Sequence, residues 1–391
     1  MSRIKEDVYW VGYLDWGLRN FHGYSTPHGS TYNAYLIDDE LPVLVDTVKY
    51  YGFQDLLEGI RRITDPSRIK YIISNHTEMD HSGSIERLLQ FCPEAEIVCS
   101  SKGKEGLLKH FKKNWKFKVV GAGDSLNLGK RKLTFLPVPM VHWPDSMLTY
   151  SSYDKILFSN DAFGQHYACS RRFAKEAGID IIFREAAKYY ANIVMPYGSQ
   201  VEKALDSLSS LDVDMICPSH GLIWKEKQNI NKIINLYRKW AGHSADKKAV
   251  IIYDTMWNST KKISDKLFRL LHNDHGIDTA VIDLSTTHIS EAVTAVMESR
   301  IVLIGSPVLN NGVFPSVGKF LIYLKGLKPK NKLGMAFGSY GWNIFAFKEL
   351  ENFMKDCGIE ILGEGKYFNY IPSDEDLSSL AHPVRDLAES L

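Results

Sequence analysis

Beyond Gly242 the chain settles into one repeating unit: a short apolar run, a loop, then an amphipathic stretch. The apolar runs are AVIIYD (249–254), TAVIDL (279–284), IVLIGSP (301–307) and KLGMAFGS (332–339). The stretches that follow them, ISDKLFRLLHND, SEAVTAVMESR, VGKFLIYLKGL and FKELENFMKDCG, carry apolar residues at helical spacing. Continuous apolar strands alternating with helices predict strands buried on both faces, which is the signature of a doubly wound parallel sheet. An α/β domain is expected over residues 246–391, a size ordinary for one domain.

The first 245 residues read differently. Strand candidates YNAYLID (32–38), LVDTV (44–48), YIISN (71–75), AEIVCS (95–100), KLTFLPVP (132–139) and KILFSND (155–161) are interleaved with helical segments such as GFQDLLEGIRRI and SIERLLQFC. The spacing in LTYSSYDKILFSN suits a hairpin, so this part is expected to be a layered α/β domain with a mixed sheet. A long helical stretch, EKQNINKIINLYRKWAG, then leads through the polar HSADKK to the second domain.

Composition excludes several functions. Lys plus Arg total 47 against 46 Asp plus Glu, a net of +1, so no global charge favours nucleic acid or an anionic membrane surface. No apolar run reaches the roughly 18 residues of a spanning helix, and the N-terminus lacks a signal-peptide core. The five cysteines, Cys92, Cys99, Cys169, Cys217 and Cys357, form no CxxC pair. That usage fits a reducing cytoplasm and a metal site not built from thiolates.

The metal-ligating residues are histidines and carboxylates. In SNHTEMDHSGS, His76, Glu78, Asp80 and His81 fall within six residues just after the apolar YIIS. Two carboxylates so close repel one another unless a cation sits among them. A hydrogen-bonded polar turn is the alternative for any one of these residues alone. His142 in PMVHWPDS, Asp161 in LFSNDAFG and His220 in ICPSHG likewise follow or end apolar strands, which can align them along one sheet edge. Seven ligands are too many for one tetrahedral ion and suit two ions sharing a carboxylate. Trp143, Tyr197, His22 and His28 are candidates for orienting ligands or delivering protons, against the plainer reading as core aromatics and surface histidines.

The second domain offers a different chemistry. Thr255, Met256, Trp257, Asn258, Ser259 and Thr260 stand between the strand AVIIYD and a helix, where hydroxyls and free amides can cradle a phosphate. Ser306, Pro307, Val308, Leu309, Asn310, Asn311 and Gly312 are expected to form the loop after the third strand, and Ser339, Tyr340, Gly341 and Trp342 the loop after the fourth. All three would lie at the carboxyl edge of the sheet, the usual ligand position in such folds. Gly305, Gly312, Gly338 and Gly341 are expected to let the backbone approach a flat ring, with Trp257, Tyr340 and Trp342 supplying aromatic surfaces. No GxGxxG follows a strand, which disfavours a nicotinamide dinucleotide.

With HxExDH, His142, Asp161 and His220 in that order, followed by the TMWNST, SPVLNNG and FGSYGW loops, the chain resembles the flavodiiron proteins over nearly its full length. The resemblance implies a metallo-β-lactamase-like αββα sandwich followed by a flavodoxin-like domain. Hydrolases of that superfamily usually read HxHxDH; Glu78 replaces an imidazole with a hard oxygen donor and shifts the preference from zinc toward iron. It also implies that His76, Glu78 and His142 hold one iron, that Asp80 and His220 hold the other, and that Asp161 bridges them. His81 either ligates the second iron or turns away, and is counted here as a ligand. FMN is the implied flavin.

The implied activity is reduction of dioxygen to water, of nitric oxide to nitrous oxide, or both. Electrons would come from rubredoxin or a reduced deazaflavin coenzyme, since without a CxxC pair no rubredoxin module is expected within the sequence. The family also implies a head-to-tail homodimer, with neither nucleic acid nor membrane as partner. A zinc hydrolase with an appended flavin domain is the competing reading, and an electron carrier with a vestigial metal site is a weaker third.

Overall fold

The computed structural model describes Met1–Leu391. Its contacts separate into two compact units. The first comprises Met1–His22, Thr26–Tyr190 and Ser199–Arg238. The second comprises Lys239–Leu391 with two short pieces, Gly23–Ser25 and Ala191–Gly198. The division falls inside the helix Lys227–Ala241, ahead of the expected break after residue 245, and the next strand begins at Asp246.

The first unit is a sandwich of two sheets. One has seven strands in the order Ser2–Lys5, Val8–Trp10, Tyr35–Ile37, Val43–Val45, Tyr71–Ile73, Glu96–Cys99 and Phe117–Val119. The other has five, in the order Ser125–Asn127, Lys132–Pro137, Met147–Ser151, Ile156–Asn160 and Met215–Pro218. Period-two alternation decides which side chains meet between them. Tyr35, Ile37, Val43, Val45, Ile73 and Val98 face Leu133, Phe135, Met147, Ile156, Phe158 and Met215 in the core between the sheets. Their neighbours Leu36, Leu44, Ile72 and Ile97 point the other way, onto Phe53, Leu56, Leu57 and Ile60 of the helix Phe53–Arg61. On the far side of the second sheet, Leu148 borders a small apolar gap together with Val201 and Leu205 of the helix Gly198–Leu208 and Tyr237 of the helix Lys227–Ala241. The architecture is an αββα sandwich.

The expected strand YNAYLID is interrupted. Ser30–Tyr32 pairs with Tyr13–Asp15, whereas Tyr35–Ile37 enters the seven-stranded sheet. Asn33 causes the break. Its side-chain amide donates to the carbonyls of Pro218 (2.8 Å) and Gly221 (3.0 Å) and accepts from the Trp10 indole (2.8 Å). A side chain bonding three backbone and ring groups holds the chain in a turn that ladder pairing would not allow.

At one end of the sandwich Arg131 is buried, 1% exposed. Its Nε meets Asp154 at 2.9 Å, its Nη1 meets Asp39 at 3.3 Å, and its Nη2 donates to the Glu6 carbonyl at 2.7 Å. Asp39 and Glu6 belong to turns of the first sheet and Asp154 to the hairpin of the second, so one guanidinium joins both layers.

The second unit holds a five-stranded parallel sheet in the order Asp278–Asp283, Asp246–Tyr253, Ser299–Leu309, Lys332–Tyr340, Ile359–Ile361. This is the 2-1-3-4-5 order of flavodoxin-like folds. Two expected loops are partly strand. Ser299–Leu309 runs on through Ser306, Pro307 and Val308, then turns at Asn310 (φ 50°) and Asn311 (φ 63°) to pair with Gly312–Val313. Paired left-handed residues make a two-residue hairpin turn, and asparagine tolerates that conformation. Lys332–Tyr340 likewise extends through Ser339 and Tyr340 because Lys366–Asn369 pairs alongside.

Candidate metal centre and cofactor pocket

The seven candidate ligands come from both sheets of the sandwich and meet at one edge. Strand Tyr71–Ile73 delivers His76 and Glu78, and the helical turn Met79–Ser82 presents Asp80 and His81. Asp161 follows strand Ile156–Asn160, His220 follows its parallel neighbour Met215–Pro218, and His142 lies in the connection before Met147–Ser151. Gly221 lets the chain turn sharply after His220. Its φ is +80°, and a Cβ there would collide with the Gln165 side chain and carbonyl.

Asp161 lies at the centre. Its Oδ2 is 3.7 Å from His76 Nε2 and 3.4 Å from His142 Nε2, and its Oδ1 is 3.0 Å from His81 Nε2 and 3.5 Å from His220 Nε2. Glu78 Oε2 closes the first group at 3.4 Å from His76 and 3.5 Å from His142. Asp80 closes the second at 3.3 Å from His81 and 3.1 Å from His220. Donors about 3 to 3.6 Å apart are spaced as around an ion with bonds of about 2.1 Å. The residues pass a second test of fit. His76 Nε2, His81 Nε2 and both oxygens of Asp80 and Asp161 are buried without a hydrogen bond, a costly state that a cation relieves.

Charge is balanced by protons when no ion is bound. Burial works against a charged His76, yet hydrogen bonds to Asp145 and Glu78 hold its pKa well above the ordinary value. His81 is likewise opposed by burial and is raised to about 9 by Asp80 and Asp161. Burial pushes Asp161 up, but His81, His142 and His76 together hold it well below the usual carboxylate range.

Several partners of these ligands carry no local signal in the sequence. Asp145 Oδ2 accepts from His76 Nδ1 (2.9 Å) and from the Thr77 amide (2.7 Å). His220 Nδ1 faces the Thr31 carbonyl at 2.7 Å. Asp46 accepts from the Asn75 amide and side chain and from the Ser219 hydroxyl, tying the His76 loop to the His220 loop. His166, bonded to Ser30 Oγ at 2.7 Å, packs 4.9 Å from the His220 ring. Of the four outlying candidates, Trp143 packs perpendicular to the His76 ring with centroids 4.9 Å apart, and His22 Nε2 lies 3.3 Å from Glu78. His28 instead faces Glu185 at 3.8 Å, and Tyr197 belongs to the Ala191–Gly198 piece of the second unit.

The second unit has a cavity of about 690 Å³ at the carboxyl edge of its parallel sheet. Met256, Trp257, Ser259, Pro307, Val308, Leu309, Asn310, Asn311, Ser339, Tyr340, Gly341 and Trp342 line it. Thr255, Asn258, Thr260, Ser306 and Gly312, expected to take part, are not among its lining residues. The Ser306 hydroxyl accepts the Phe314 amide, and Thr260 bonds Ser339 at 3.1 Å. Asn343, Tyr370 and Ile371 also line the cavity, Tyr370 being held there by its amide bond to the Tyr340 carbonyl, 2.7 Å. The expectation for two glycines needs correcting. A Cβ at Gly305 would strike the Phe337 ring and one at Gly338 the Ser306 carbonyl, so these two serve strand packing and not the approach of a ligand.

The lining fits a flavin mononucleotide. Trp257 and Trp342 are 86% and 90% exposed, leaving indole surface for a flat ring. The helix Ser259–Arg269 has no side chain capping its N-terminus, and the Thr255 hydroxyl is buried without a partner beside it. Free amides and an unpaired hydroxyl there suit a phosphate.

A sandwich gathering two carboxylate-rich metal positions, joined to a flavodoxin-like domain with an open aromatic cavity, defines a flavin- and metal-dependent oxidoreductase. Residues 31–221 match the ODP family beta lactamase and residues 251–383 match Flavodoxin. The nitric oxide reductase of Moorella thermoacetica is 42% identical, the match covering 98% of this chain and 97% of the relative. The structure of rubredoxin oxygen:oxidoreductase from Desulfovibrio gigas is 37% identical with a TM-score of 0.96, covering 100% of this chain and 98% of that one. The flavodiiron protein from Giardia intestinalis is 35% identical with a TM-score of 0.96, covering 99% and 96%. The chain belongs to the flavodiiron proteins. FMN and a pair of non-haem irons are the cofactors of this family, and both sets of residues here fit them.

Proposed function

We propose that this protein reduces dioxygen to water, nitric oxide to nitrous oxide, or both. Dioxygen takes four electrons and four protons to give two waters; two nitric oxides take two electrons and two protons to give nitrous oxide and one water. The observation that carries the reading is the placement of Asp161 between two equivalent donor groups, each with two imidazoles and one further carboxylate. In this reading His76, Glu78 and His142 would hold one iron, Asp80, His81 and His220 would hold the other, and Asp161 would be shared. The 3.0 Å approach of His81 to Asp161 supports its inclusion.

When bound, the irons supply Lewis acidity and electron storage, and FMN supplies electrons one or two at a time. The chain's part is to hold that pair in place. Burial of Asp80, His81, Asp161 and His220 keeps bulk water from the donors, while His22, 73% exposed by side chain and 3.3 Å from Glu78, offers a route for protons from solvent. The proposed FMN contacts are the residues of the cavity lining together with Thr255, Asn258, Thr260, Ser306 and Gly312 of the same three segments.

Rubredoxin, the partner in the name of the Desulfovibrio relative, is the proposed electron donor, with a reduced deazaflavin coenzyme as the other class to test. A head-to-tail homodimer would bring the FMN of one chain to the irons of its partner. No helix is long and apolar enough to cross a membrane. The five free thiols support a reducing cytoplasm.

The test is to reduce the iron- and FMN-loaded protein without oxygen and mix it separately with dioxygen and nitric oxide. Reoxidation of flavin at catalytic rates, with water or nitrous oxide as product, is expected. Two zinc per chain, negligible iron and hydrolysis of thioesters or phosphoesters would overturn the reading in favour of the hydrolase.

A further inference from the structure

The two donor groups match in composition. Each side of Asp161 has two imidazoles and one carboxylate of its own, His76, His142 and Glu78 on one side and His81, His220 and Asp80 on the other. Ligand identity therefore gives an electron no reason to prefer either position. The difference lies one contact further out. His76 Nδ1 is bonded at 2.9 Å to the Asp145 carboxylate, which is 5% exposed and fixed by the Thr77 amide at 2.7 Å. The serine hydroxyl of Ser100 also donates to the Asp145 carbonyl at 2.9 Å, anchoring the residue in its loop. On the opposite side His220 Nδ1 meets only the neutral Thr31 carbonyl at 2.7 Å, and His81 Nδ1 is buried without a hydrogen bond. Asp46, the other buried carboxylate nearby, spends its hydrogen bonds on Asn75 and Ser219.

The geometry points to Asp145 as the residue that makes the two iron positions unequal, favouring oxidation at the His76–Glu78–His142 position. A carboxylate on the outer nitrogen of an imidazole makes the inner nitrogen a stronger donor, which stabilises the higher charge of a ferric over a ferrous ion. A carbonyl has no net charge to give. Asp145 remains an anion throughout and the Nδ1 proton remains on His76. The only transfer is one electron from iron to an added oxidant, such as ferricyanide, per step. Asp145 is thus a positioning and tuning residue, and no reacting atom touches it. This inference rests on the ligand assignment proposed above.

The experiment compares the unaltered protein with Asp145→Asn and Asp145→Glu, all loaded with iron and FMN. Each is poised at successive potentials with mediator dyes, and the half-oxidised state is followed by electron paramagnetic resonance. Asp145→Asn keeps the shape and removes the charge. It is expected to lower the comproportionation constant about tenfold, a narrowing of about 59 mV between the two one-electron steps, with less half-oxidised signal. Asp145→Glu should recover part of the gap. An unchanged gap in Asp145→Asn at full iron content would overturn the inference, and so would a wider one, which would put the more oxidisable position on the His81–His220 side. Failure of the unaltered protein to take up two irons would instead overturn the ligand assignment.

Discussion

Loading the metal-free protein with a divalent ion should release protons, and the number is set by the histidines around Asp161. His81, raised to about 9, stands some two units above pH 7, so its Nε2 is protonated there and must be cleared before an ion can bind. At 1.36 kcal/mol per unit this costs about 3 kcal/mol, or about a hundredfold in apparent affinity at pH 7 relative to the fully deprotonated site. His76 is raised as well, so the other position also releases a proton. Calorimetric titration with Co(II) in two buffers of different ionisation enthalpy counts these protons directly. About one proton per ion is expected, with affinity rising about tenfold per pH unit between 7 and 8 and levelling above about 9. His81→Gln should abolish that slope at one position and leave it at the other. The sign for stability runs opposite. The raised His81 pKa stabilises the metal-free fold fully below about 6.5, and that contribution is lost as pH rises through about 9, so metal-free melting temperature should fall over this window. Binding that is independent of both pH and buffer would refute the electrostatic account of the site.

Three further outcomes follow from individual side chains. Asp161→Ala should lose iron and reductase activity while keeping FMN, measured by metal analysis beside flavin absorbance, because that carboxylate lies within 3.7 Å of the histidines of both ligand groups. Trp342→Ala should weaken FMN binding by about 1 kcal/mol, roughly fivefold in Kd by fluorescence titration, with iron content unchanged. Arg131→Ala leaves Asp154 and Asp39 without their buried cation and should cost about 3 to 5 kcal/mol in denaturant unfolding.

The sequence was most informative where chemistry is local. His76, Glu78, Asp80 and His81 share one short segment, and the strand–helix alternation after residue 246 leads to a parallel sheet with its ligand loops on one edge. It was least informative where distant segments meet. Asp145 reaches His76 across 69 positions and Thr31 reaches His220 across 189, distances that only the strand order closes. Asn33 looked like an ordinary strand residue because its three partners lie in other segments. The glycines at 305 and 338 were misread for the same reason: the rings and carbonyls that exclude a side chain there come from a neighbouring strand and helix. Asn310–Asn311 was legible as part of a loop but not as the tip of a hairpin, since the short partner Gly312–Val313 has no strand pattern of its own.

The strand directions put the Arg131 cluster and the metal ligands at opposite ends of the sandwich. Strand Ile156–Asn160 begins beside Asp154 and ends at Asp161. One end is therefore latched by a guanidinium that is always charged, whereas the other would be held by its metal ions. A chelator should act as a key to one end alone, loosening amide protection around the His76, Asp161 and His220 loops while the hairpin at Asp154 stays shut. That outcome would make Arg131 the spine of the sandwich and the metals its clasp.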